Sequence, residues 1–400
     1  MPDETTTTKP PEIGAKVKKI EAPFGVNEVR LNARQWLTAL AIVVLAAFLT
    51  PPLWEKIERF ETGPDYRLPY ELSKDYWLYS RYMQKAGRAV PGEPPVIVLG
   101  DSVVWGEYVL PDGTLSHFLN QQAGATNRFV NAGVNGLFPL ALEGLVQNYA
   151  TSLRDKKIIL HCNPLWMTSP KADLSTDKEE SFNHAELVPQ FSPRIPCYKA
   201  DANDRFAALI TRNIGFIGWV NHLQNAYFGQ KSLLKWTLED DGRDPAHYPN
   251  TWKNPLAQIA LRVPCAPAND PQRGPASPRH KAWSDGNSGA THFDWVKLNS
   301  SLQWAGFRGL VTLLQARGNQ VFVIVGPFNE HMMDAESRKT CQLMRDEIGA
   351  WLSQNKIPYL APTLLPSALY ADASHPLTAG YALLAGEIYT DTAFQQWLKR

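Results

Sequence analysis

Two stretches of the sequence, far apart, carry residues whose types and spacing suit nucleophilic chemistry. The first is "VIVLGDSVVWG" at 96–106, in which four apolar residues run into Gly-Asp-Ser, with the serine at 102. A serine hydroxyl is a weak nucleophile until a base accepts its proton, and that base needs a third group to orient it. The second stretch, "DASH", supplies such a pair, because Asp372 precedes His375 by three residues. We therefore predict Ser102 as nucleophile, His375 as base and Asp372 as orienting carboxylate.

A second Asp-x-x-His pair, Asp244 and His247 in "DPAH", competes for the role of base. Tyr-Pro follows it within an irregular tract, where a surface-loop histidine is the favoured interpretation. His375 instead follows the last predicted strand and precedes the closing helix. Because ligands in open α/β sheets bind at the carboxyl ends of the strands, Ser102 and His375 are predicted to meet at that edge.

The elements that must position these residues alternate between short apolar strands and helices. Strands are predicted over 95–100, 128–133, 156–163, 320–328 and 358–361, and helices over 115–124, 140–153, 296–317, 335–354 and from about 378. This alternation indicates parallel strands with both faces of the sheet covered. We predict an α/β fold, a three-layer sandwich around a mostly parallel sheet, which forms a catalytic domain over 96–400.

The alternation stops between about 164 and 295, which we predict to be a long irregular insertion. One apolar stretch within it, 214–229, is predicted to be an amphipathic helix. Five of the tryptophans within the insertion would either line a carbohydrate or lipid groove or pack in the core, and packing is favoured. They are Trp219, Trp236, Trp252, Trp283 and Trp295.

The amino-terminal part of the chain contains one stretch that suits a membrane. Residues 35–54 are apolar between Trp36 and Trp54, and about 20 such residues cross a bilayer. We predict a tail at 1–34, a transmembrane anchor at 35–54 and a linker at 55–95. The basic residues before the anchor, among them Lys16, Lys18, Lys19, Arg30 and Arg34, outnumber the three that follow it closely, which favours a cytoplasmic amino terminus and an exported, periplasmic or otherwise extracytoplasmic, remainder. A cleaved signal peptide and a buried core helix are the alternatives.

The composition excludes some partners and leaves one question open. With 40 basic and 39 acidic residues the net charge is +1, which gives no support for a nucleic-acid partner. The four cysteines are too scattered for a zinc site, and no glycine-rich nucleotide loop is present, so no metal or cofactor is expected. Cys197 and Cys265 would form one bridge in an exported domain, or all four cysteines would be free thiols.

Taken together, the GDS stretch at 100–102 and the DASH stretch at 372–375 resemble the SGNH (GDSL-type) esterase and acyltransferase superfamily, whose fold is flavodoxin-like. In that superfamily Ser, Gly, Asn and His lie in four separated blocks. The second block corresponds to "NAGVNG", with Asn131 and Gly136, and the third to "LHCNPLW", with Asn163. The resemblance covers about 96–163 and 297–393. The third block commonly reads Gly-x-Asn-Asp, and here a proline follows the asparagine.

The resemblance implies roles for these residues. Ser102 would attack an ester carbonyl, and the oxyanion would be held by the backbone N–H groups of Ser102 and Gly136 and by the side-chain amide of Asn163. Asp101 is expected to cap the turn rather than to act in catalysis. Asn329 and His331, in the loop after strand 320–328, are expected either to contact a substrate or to stabilise that loop.

The activity that the resemblance implies is that of a membrane-tethered serine esterase or O-acyltransferase. It would act on acyl esters, acetyl in the first place, and cell-envelope or exopolysaccharide glycans are candidate substrates. Some anchored members of the superfamily work alongside a membrane-embedded acyl-donor protein. The rival hypothesis is a non-catalytic subunit of a membrane complex that keeps the fold and binds a protein or glycan through its insertion.

Overall fold

The structure, a computed structural model, has an α/β architecture built on one parallel sheet. It describes residues 31–88, 94–239, 253–264, 280–286 and 289–400. The strands are β1 (Val96–Leu99), β2 (Phe129–Asn131), β3 (Lys157–Cys162), β4 (Gln320–Val325) and β5 (Tyr359–Leu360). They lie in the order β2-β1-β3-β4-β5, and every pairing is parallel.

Thirteen helices occur in the part of the chain that the structure describes. They are α1 (Ala33–Ile57), α2 (Tyr76–Ala86), α3 (Ser102–Trp105), α4 (Leu115–Gln122), α5 (Pro139–Asn148), α6 (Ala202–Asn213), α7 (Gly215–Tyr227), α8 (Leu233–Leu238), α9 (Pro255–Gln258), α10 (Leu302–Ala316), α11 (Ala335–Gln354), α12 (Thr378–Thr390) and α13 (Thr392–Lys399). The chain divides into two compact units, one ending at Leu49 and one running from Thr50 to Arg400.

Both faces of the sheet are covered by apolar side chains, because successive strand residues point to opposite faces. Ile97, Ile158 and Val323 belong to a core cluster shared with α2, α5, α10 and α11. Val98 and Phe322 belong to the other cluster, shared with α4, α12 and α13. Buried on both faces, the strands are continuous apolar runs, as the sequence pattern predicts. The order also places β1 and β3 side by side where the connections change direction, which is where open sheets of this kind bind ligands.

The segment at 55–95, predicted as a linker, contributes to the core instead. Its described residues, up to 88, include α2, and Leu68 and Met83 are buried in the second unit. The hydroxyl groups of two buried tyrosines are satisfied by the sheet end: Tyr79 donates to the Ala132 carbonyl at 3.1 Å and Tyr82 to the Asn131 carbonyl at 2.8 Å. Aromatic residues with polar tips do not display the apolar period of a core helix, which is why the sequence pattern missed this segment.

The predicted anchor at 35–54 lies within α1. This 25-residue helix contains an 18-residue window of mean hydropathy 2.0, and none of that window is buried. It is the one helix among the described residues that is long and apolar enough to cross a membrane. Which side of a membrane each end would face stays a prediction.

Between β3 and α10 the described residues form four α-helices, α6 to α9, and the predicted helix at 214–229 is α7. Of the five tryptophans considered above, four are described and half-buried: Trp219, Trp236, Trp283 and Trp295. Trp252 lies outside the described residues. Cys197 is fully buried, and its predicted partner Cys265 lies outside the described residues as well.

Candidate active site

Ser102, His375 and Asp372 form one hydrogen-bonded line at the carboxyl edge of the sheet. Ser102 is the first residue of α3, directly after β1, and its Oγ lies 2.8 Å from His375 Nε2. His375 Nδ1 lies 2.8 Å from each carboxylate oxygen of Asp372. Ser102 and His375 are each only 5% exposed. Residues separated by 273 positions in the chain are thus brought within hydrogen-bond distance.

Asp372 stabilises the turn that carries His375. Asp372 Oδ1 accepts hydrogen bonds from the backbone N–H groups of Ser374 and His375, both at 2.9 Å. The Ala371 N–H also donates to the His375 carbonyl at 2.8 Å. Asp372 therefore fixes both the loop and the imidazole, which explains why a three-residue spacing between them suffices.

Asn329, predicted as a substrate contact or a loop stabiliser, holds this turn from outside. Its side chain is fully buried, its Nδ2 donates to the Asp372 carbonyl at 3.1 Å, and its backbone N–H donates to the Ala373 carbonyl at 2.8 Å. His331 is exposed, and its Nε2 lies 2.9 Å from the Leu365 carbonyl. Both contacts stabilise loops. The competing pair Asp244 and His247 lies outside the described residues.

Helix α3, which presents the serine, is held at its carboxyl end by three distant side chains. The Tyr381 hydroxyl donates to the Val103 carbonyl at 2.7 Å, and Asn131 Nδ2 donates to the Val104 carbonyl at 2.8 Å. The Arg67 guanidinium donates to the Trp105 carbonyl at 3.0 Å and stacks on the Trp105 ring. These bonds satisfy carbonyls that a four-residue helix leaves unpaired, so Ser102 stands on a rigid support.

The three predicted oxyanion donors have free hydrogens. Within the described part of the chain, neither the Ser102 nor the Gly136 backbone N–H donates to another protein group. Asn163 Nδ2 gives one of its two hydrogens to Asp101 at 2.7 Å, which leaves the other available. Gly136 has φ +67°, a conformation that favours glycine. Pro164 starts a short 3₁₀ helix and Asn163 Oδ1 caps it through the Leu165 N–H at 3.0 Å, so this loop is well formed without the family's aspartate.

Asp101 caps α3, as expected, and also anchors the Asn163 loop. It accepts from the Val103 N–H at 3.0 Å, as well as from Asn163, and its Oδ2 accepts from Trp166 Nε1 at 3.0 Å. His161 Nδ1 lies 3.0 Å from its Oδ1. Burial by itself raises the pKa of Asp101, but the charge of His161 and these hydrogen bonds outweigh burial and lower it to about 2. Asp101 is therefore a fixed anion that orients Asn163 and has no spare capacity as a base.

The pKa values of the histidine pair favour an ionised aspartate. Burial lowers the pKa of His375, yet the hydrogen bond and charge of Asp372, with the charge of Glu107, outweigh it and raise that pKa above its ordinary 6.5. Burial raises the pKa of Asp372, and the bond to His375 and the backbone N–H groups outweigh it, so the net shift is downward. The imidazole thus accepts a proton more readily than a free histidine does.

Two residues beside the site have no counterpart in the sequence prediction. Glu107 Oε2 lies 3.5 Å from His375 Nε2, on the side that faces Ser102, and its side chain is 29% exposed. The Tyr108 ring packs edge-on against the His375 ring, with centroids 5.3 Å apart. Burial, with the nearby Asp372 and Glu107 carboxylates, raises the pKa of Tyr108 to about 12, so it stays a neutral hydroxyl. Their position directly after the GDS stretch is the only signal that the sequence offers.

Comparisons with known proteins add no assignment. No protein-family model matches the chain, and no curated protein is significantly similar to it. Within the described ranges no group of three or more His, Cys, Asp or Glu side chains is arranged to hold a metal ion. The chemistry that the described arrangement allows is proton transfer from the Ser102 hydroxyl to His375.

Proposed function

We propose that the protein is a membrane-tethered serine esterase or O-acyltransferase of the SGNH type. The observation that carries this proposal is the hydrogen-bonded line Ser102–His375–Asp372, which begins shortly after β1. The Asn163 amide, which is bonded to Asp101 next to the serine and has a second hydrogen to give, supports it. The proposal includes the finer view of the fold, a three-layer sandwich interrupted at about 164–295. It is further supported by the order of the four blocks in the chain, since the first three follow or end β1, β2 and β3, and the bond to Ser102 holds His375 of the fourth at the same edge of the sheet.

In the proposed reaction His375 Nε2 takes the hydroxyl proton while Ser102 Oγ forms a bond to the ester carbonyl carbon. The carbonyl oxygen gains negative charge, which the N–H groups of Ser102, Gly136 and Asn163 stabilise. As the tetrahedral intermediate collapses, the bond to the alcohol breaks and His375 returns the proton to the leaving oxygen. Asp372 stays ionised and stabilises the imidazolium in between.

The acyl-Ser102 ester then reacts by the same steps in reverse with water or with another hydroxyl. Water gives hydrolysis, and a sugar hydroxyl gives acyl transfer to a glycan. Location outside the cytoplasm, acetyl esters of envelope or exopolysaccharide glycans as substrates, and a membrane-embedded acyl-donor protein as partner belong to this proposal, and they follow from the resemblance and the candidate span.

Labelling with a fluorophosphonate probe tests the nucleophile. The full-length chain in detergent should be labelled, and Ser102→Ala should abolish the labelling. Ser374→Ala is the matched control, because Ser374 is a fully buried serine of the adjacent turn whose backbone, and not its hydroxyl, is bonded to Asp372. Labelling that survives in Ser102→Ala would refute the assignment, and an unlabelled natural chain would favour the non-catalytic subunit.

Measuring whether the acyl group goes to water or to a glycan distinguishes hydrolysis from acyl transfer. With p-nitrophenyl acetate as donor, free acetate and acetylated oligosaccharide are measured by mass spectrometry in the presence of a candidate glycan. Acetylated oligosaccharide that depends on Ser102 establishes transfer, and acetate alone establishes hydrolysis.

A further inference from the structure

Residues of the insertion pack against the residues that directly follow the candidate membrane span. Trp54, in the last two turns of α1, packs edge-on against Trp219 of α7, with ring centroids 5.5 Å apart. Two residues beyond α1, the Arg59 N–H donates to the Leu261 carbonyl at 2.9 Å, and the Val263 N–H donates to the Arg59 carbonyl at 3.0 Å. These contacts all lie within the second unit, so they hold whatever the placement of residues before Thr50.

A buried polar cluster makes this attachment rigid. His222 of α7 lies between two carboxylates, with its Nδ1 2.7 Å from Asp75 and its Nε2 2.9 Å from Glu58. The Tyr227 hydroxyl donates to Glu58 at 2.5 Å, and Arg81 is also paired with Glu58. His222, Asp75 and Glu58 are at most 3% exposed. Because Glu58 directly follows α1, the end of the span and the insertion are connected through charged groups that water does not reach.

The insertion then presents large apolar side chains to the outside. Leu233, Leu234 and Leu238 of α8 are 47%, 70% and 59% exposed, and Leu256 of α9 is 79% exposed. On the end of α1 itself, Leu53 and Ile57 are 54% and 55% exposed. We call these six residues the leucine patch. Exposed apolar groups of this density on one region typically mark an interaction surface.

Direct contacts connect the segments that carry the patch. The Phe228 ring, at the end of α7, packs on Trp236 of α8 with centroids 5.1 Å apart. Gln258 of α9 donates to the Tyr227 carbonyl at 3.1 Å. Lys253, just before α9, lies over the Trp236 ring at 5.3 Å. Helices α8 and α9 are therefore both attached to the carboxyl end of α7, which is the same end that holds Glu58.

Positive charge accompanies the apolar residues. The segments 53–61, 231–239 and 253–262 carry six basic residues and, apart from the buried Glu58, three acidic ones. Such a combination of leucine, tryptophan and basic side chains is what a helix lying in a membrane interface requires, because the apolar groups enter the acyl boundary and the cations meet anionic headgroups.

We propose that the leucine patch lies in the interface of the bilayer that α1 spans, so that the insertion docks the second unit on the lipid surface. The occupant is the bilayer because the patch is continuous with the segment that leaves the span, and lipid is the surface that this segment always has beside it. The proposal rests on α1 crossing a membrane and is independent of the chemistry assigned to Ser102.

Depth-dependent fluorescence quenching tests the docking on the full-length chain. The chain is reconstituted in nanodiscs of phosphatidylcholine and phosphatidylglycerol, and an NBD probe is placed on Leu234→Cys or Leu256→Cys, one at a time. Leu383→Cys is the matched control, since Leu383 is 54% exposed on α12, which packs on the opposite face of the sheet from α2. Leu45→Cys in α1 reports the span, and the unsubstituted chain gives the background from native cysteines.

Probes at 234 and 256 should lose roughly half of their emission to lipids that carry a doxyl group near the headgroup, as expected for side chains about 5–10 Å inside the boundary, and the probe at 383 should not. A third probe, on Leu238→Cys, tests whether the patch itself is responsible. In a chain that also carries Leu234→Glu and Leu256→Glu, this probe should be quenched no more than the control probe at 383. These leucines are exposed, so the glutamates leave the packing of the unit intact.

Two results overturn the proposal. If the probe at 45 is quenched while those at 234 and 256 behave like the one at 383, the span exists and the docking does not; the patch then serves a protein partner. If the probe at 45 is not quenched, α1 does not span the bilayer and the docking loses its premise. Fluorophosphonate labelling of the same samples shows separately whether Ser102 is reactive.

Discussion

Two histidines in this protein are paired with carboxylates, and their surroundings suit them to opposite tasks. His375 faces Asp372 through Nδ1 and the Ser102 hydroxyl through Nε2. His222 faces a carboxylate through each nitrogen, Asp75 on one side and Glu58 on the other. A nitrogen that faces a carboxylate must donate, whereas one that faces a hydroxyl can accept. His222 is therefore held as a cation, and His375 can exchange a proton.

The pKa values and burial agree with this difference. The two carboxylates outweigh burial and raise the pKa of His222 to about 9, and the Trp77 ring covers its face at 4.4 Å. The pKa of His375 is also raised, and the partly exposed Glu107 carboxylate lies 3.5 Å from its Nε2. The second partner of the imidazole, more than its burial, distinguishes His222, held between two carboxylates, from His375, whose Nε2 faces a hydroxyl.

The contrast between the two histidines would fail most directly if His375, like His222, only stabilised the fold. Replacement by alanine removes the base, so His375→Ala should reduce kcat for p-nitrophenyl acetate by about 10⁴–10⁶-fold. The change removes a few hydrogen bonds, and one of the groups left behind, the Asp372 carboxylate, is 39% exposed and can be solvated, so the free energy of unfolding should fall by only about 1 kcal/mol. A large loss of stability with partial activity retained would contradict the assigned role.

His222→Ala should show the reverse. It leaves Asp75 and Glu58 buried with less compensating charge, and removal of one partner from a buried ion pair costs about 3–5 kcal/mol. Urea unfolding measures this loss, with Glu347→Ala as control, since that exposed side chain on α11 should change stability by less than about 0.5 kcal/mol. Turnover per folded molecule should stay unchanged, and a selective loss of kcat would place His222 in the chemistry.

The cationic state of His222 should make stability fall at alkaline pH. Its pKa is about 9 in the folded chain and about 6.5 when unfolded, so its contribution is complete below pH 6.5 and disappears as pH rises through 9. The shift corresponds to roughly 3 kcal/mol. The free energy of unfolding, measured between pH 6 and pH 10, should show this slope, and His222→Gln should flatten it. An equal slope in the variant would assign the effect to other groups.

The smallest effect concerns the carboxylate beside the base. Glu107 helps to raise the pKa of His375, and only the neutral imidazole accepts a proton, so the acid limb of kcat/KM should have a pKa above 6.5. Glu107→Gln should move that limb to lower pH, and the shift should be modest because water screens this partly exposed group. Glu347→Gln, at an exposed position on α11, is the control. If the pKa of the acid limb is the same in Glu107→Gln, the Glu107 carboxylate does not influence His375.

The sheet and the ends of its strands were predictable because their sequence pattern is strong. Each of the five apolar runs became a strand, since residues buried on both faces leave no polar position to obscure the pattern. Helix α11 begins and ends where the sequence indicates, at Ala335 and Gln354, because Asp334 caps it. The proximity of Ser102, His375 and Asp372 was predictable, because the serine follows a buried strand and the Asp-x-x-His pair shortly precedes the closing helix. Their roles stay a prediction.

What the sequence did not reveal depends on long-range partners. The segment before β1 appeared as a linker because its buried tyrosines are recognised as core only when the carbonyls of Asn131 and Ala132 are beside them. Glu107 lies close to His375 through tertiary contact, with no local pattern. Asn163 was predicted as an oxyanion donor, but its bond to Asp101 required the structure.

The pairing of β3 with β4 has a consequence for how such a protein can diversify. Lys156 and Asn319, at the start of these neighbouring strands, are bonded although they are 163 positions apart. Loop closure becomes more costly only with the logarithm of loop length, at about 0.6 kcal/mol per doubling, so lengthening a connection eightfold costs about 2 kcal/mol. The sheet can therefore accept a long segment at this one junction without changing the register that places Asn163. The segment between β3 and β4 can therefore change in sequence and length, and with it the surface that it presents, while Ser102, Asn163 and His375 keep their positions.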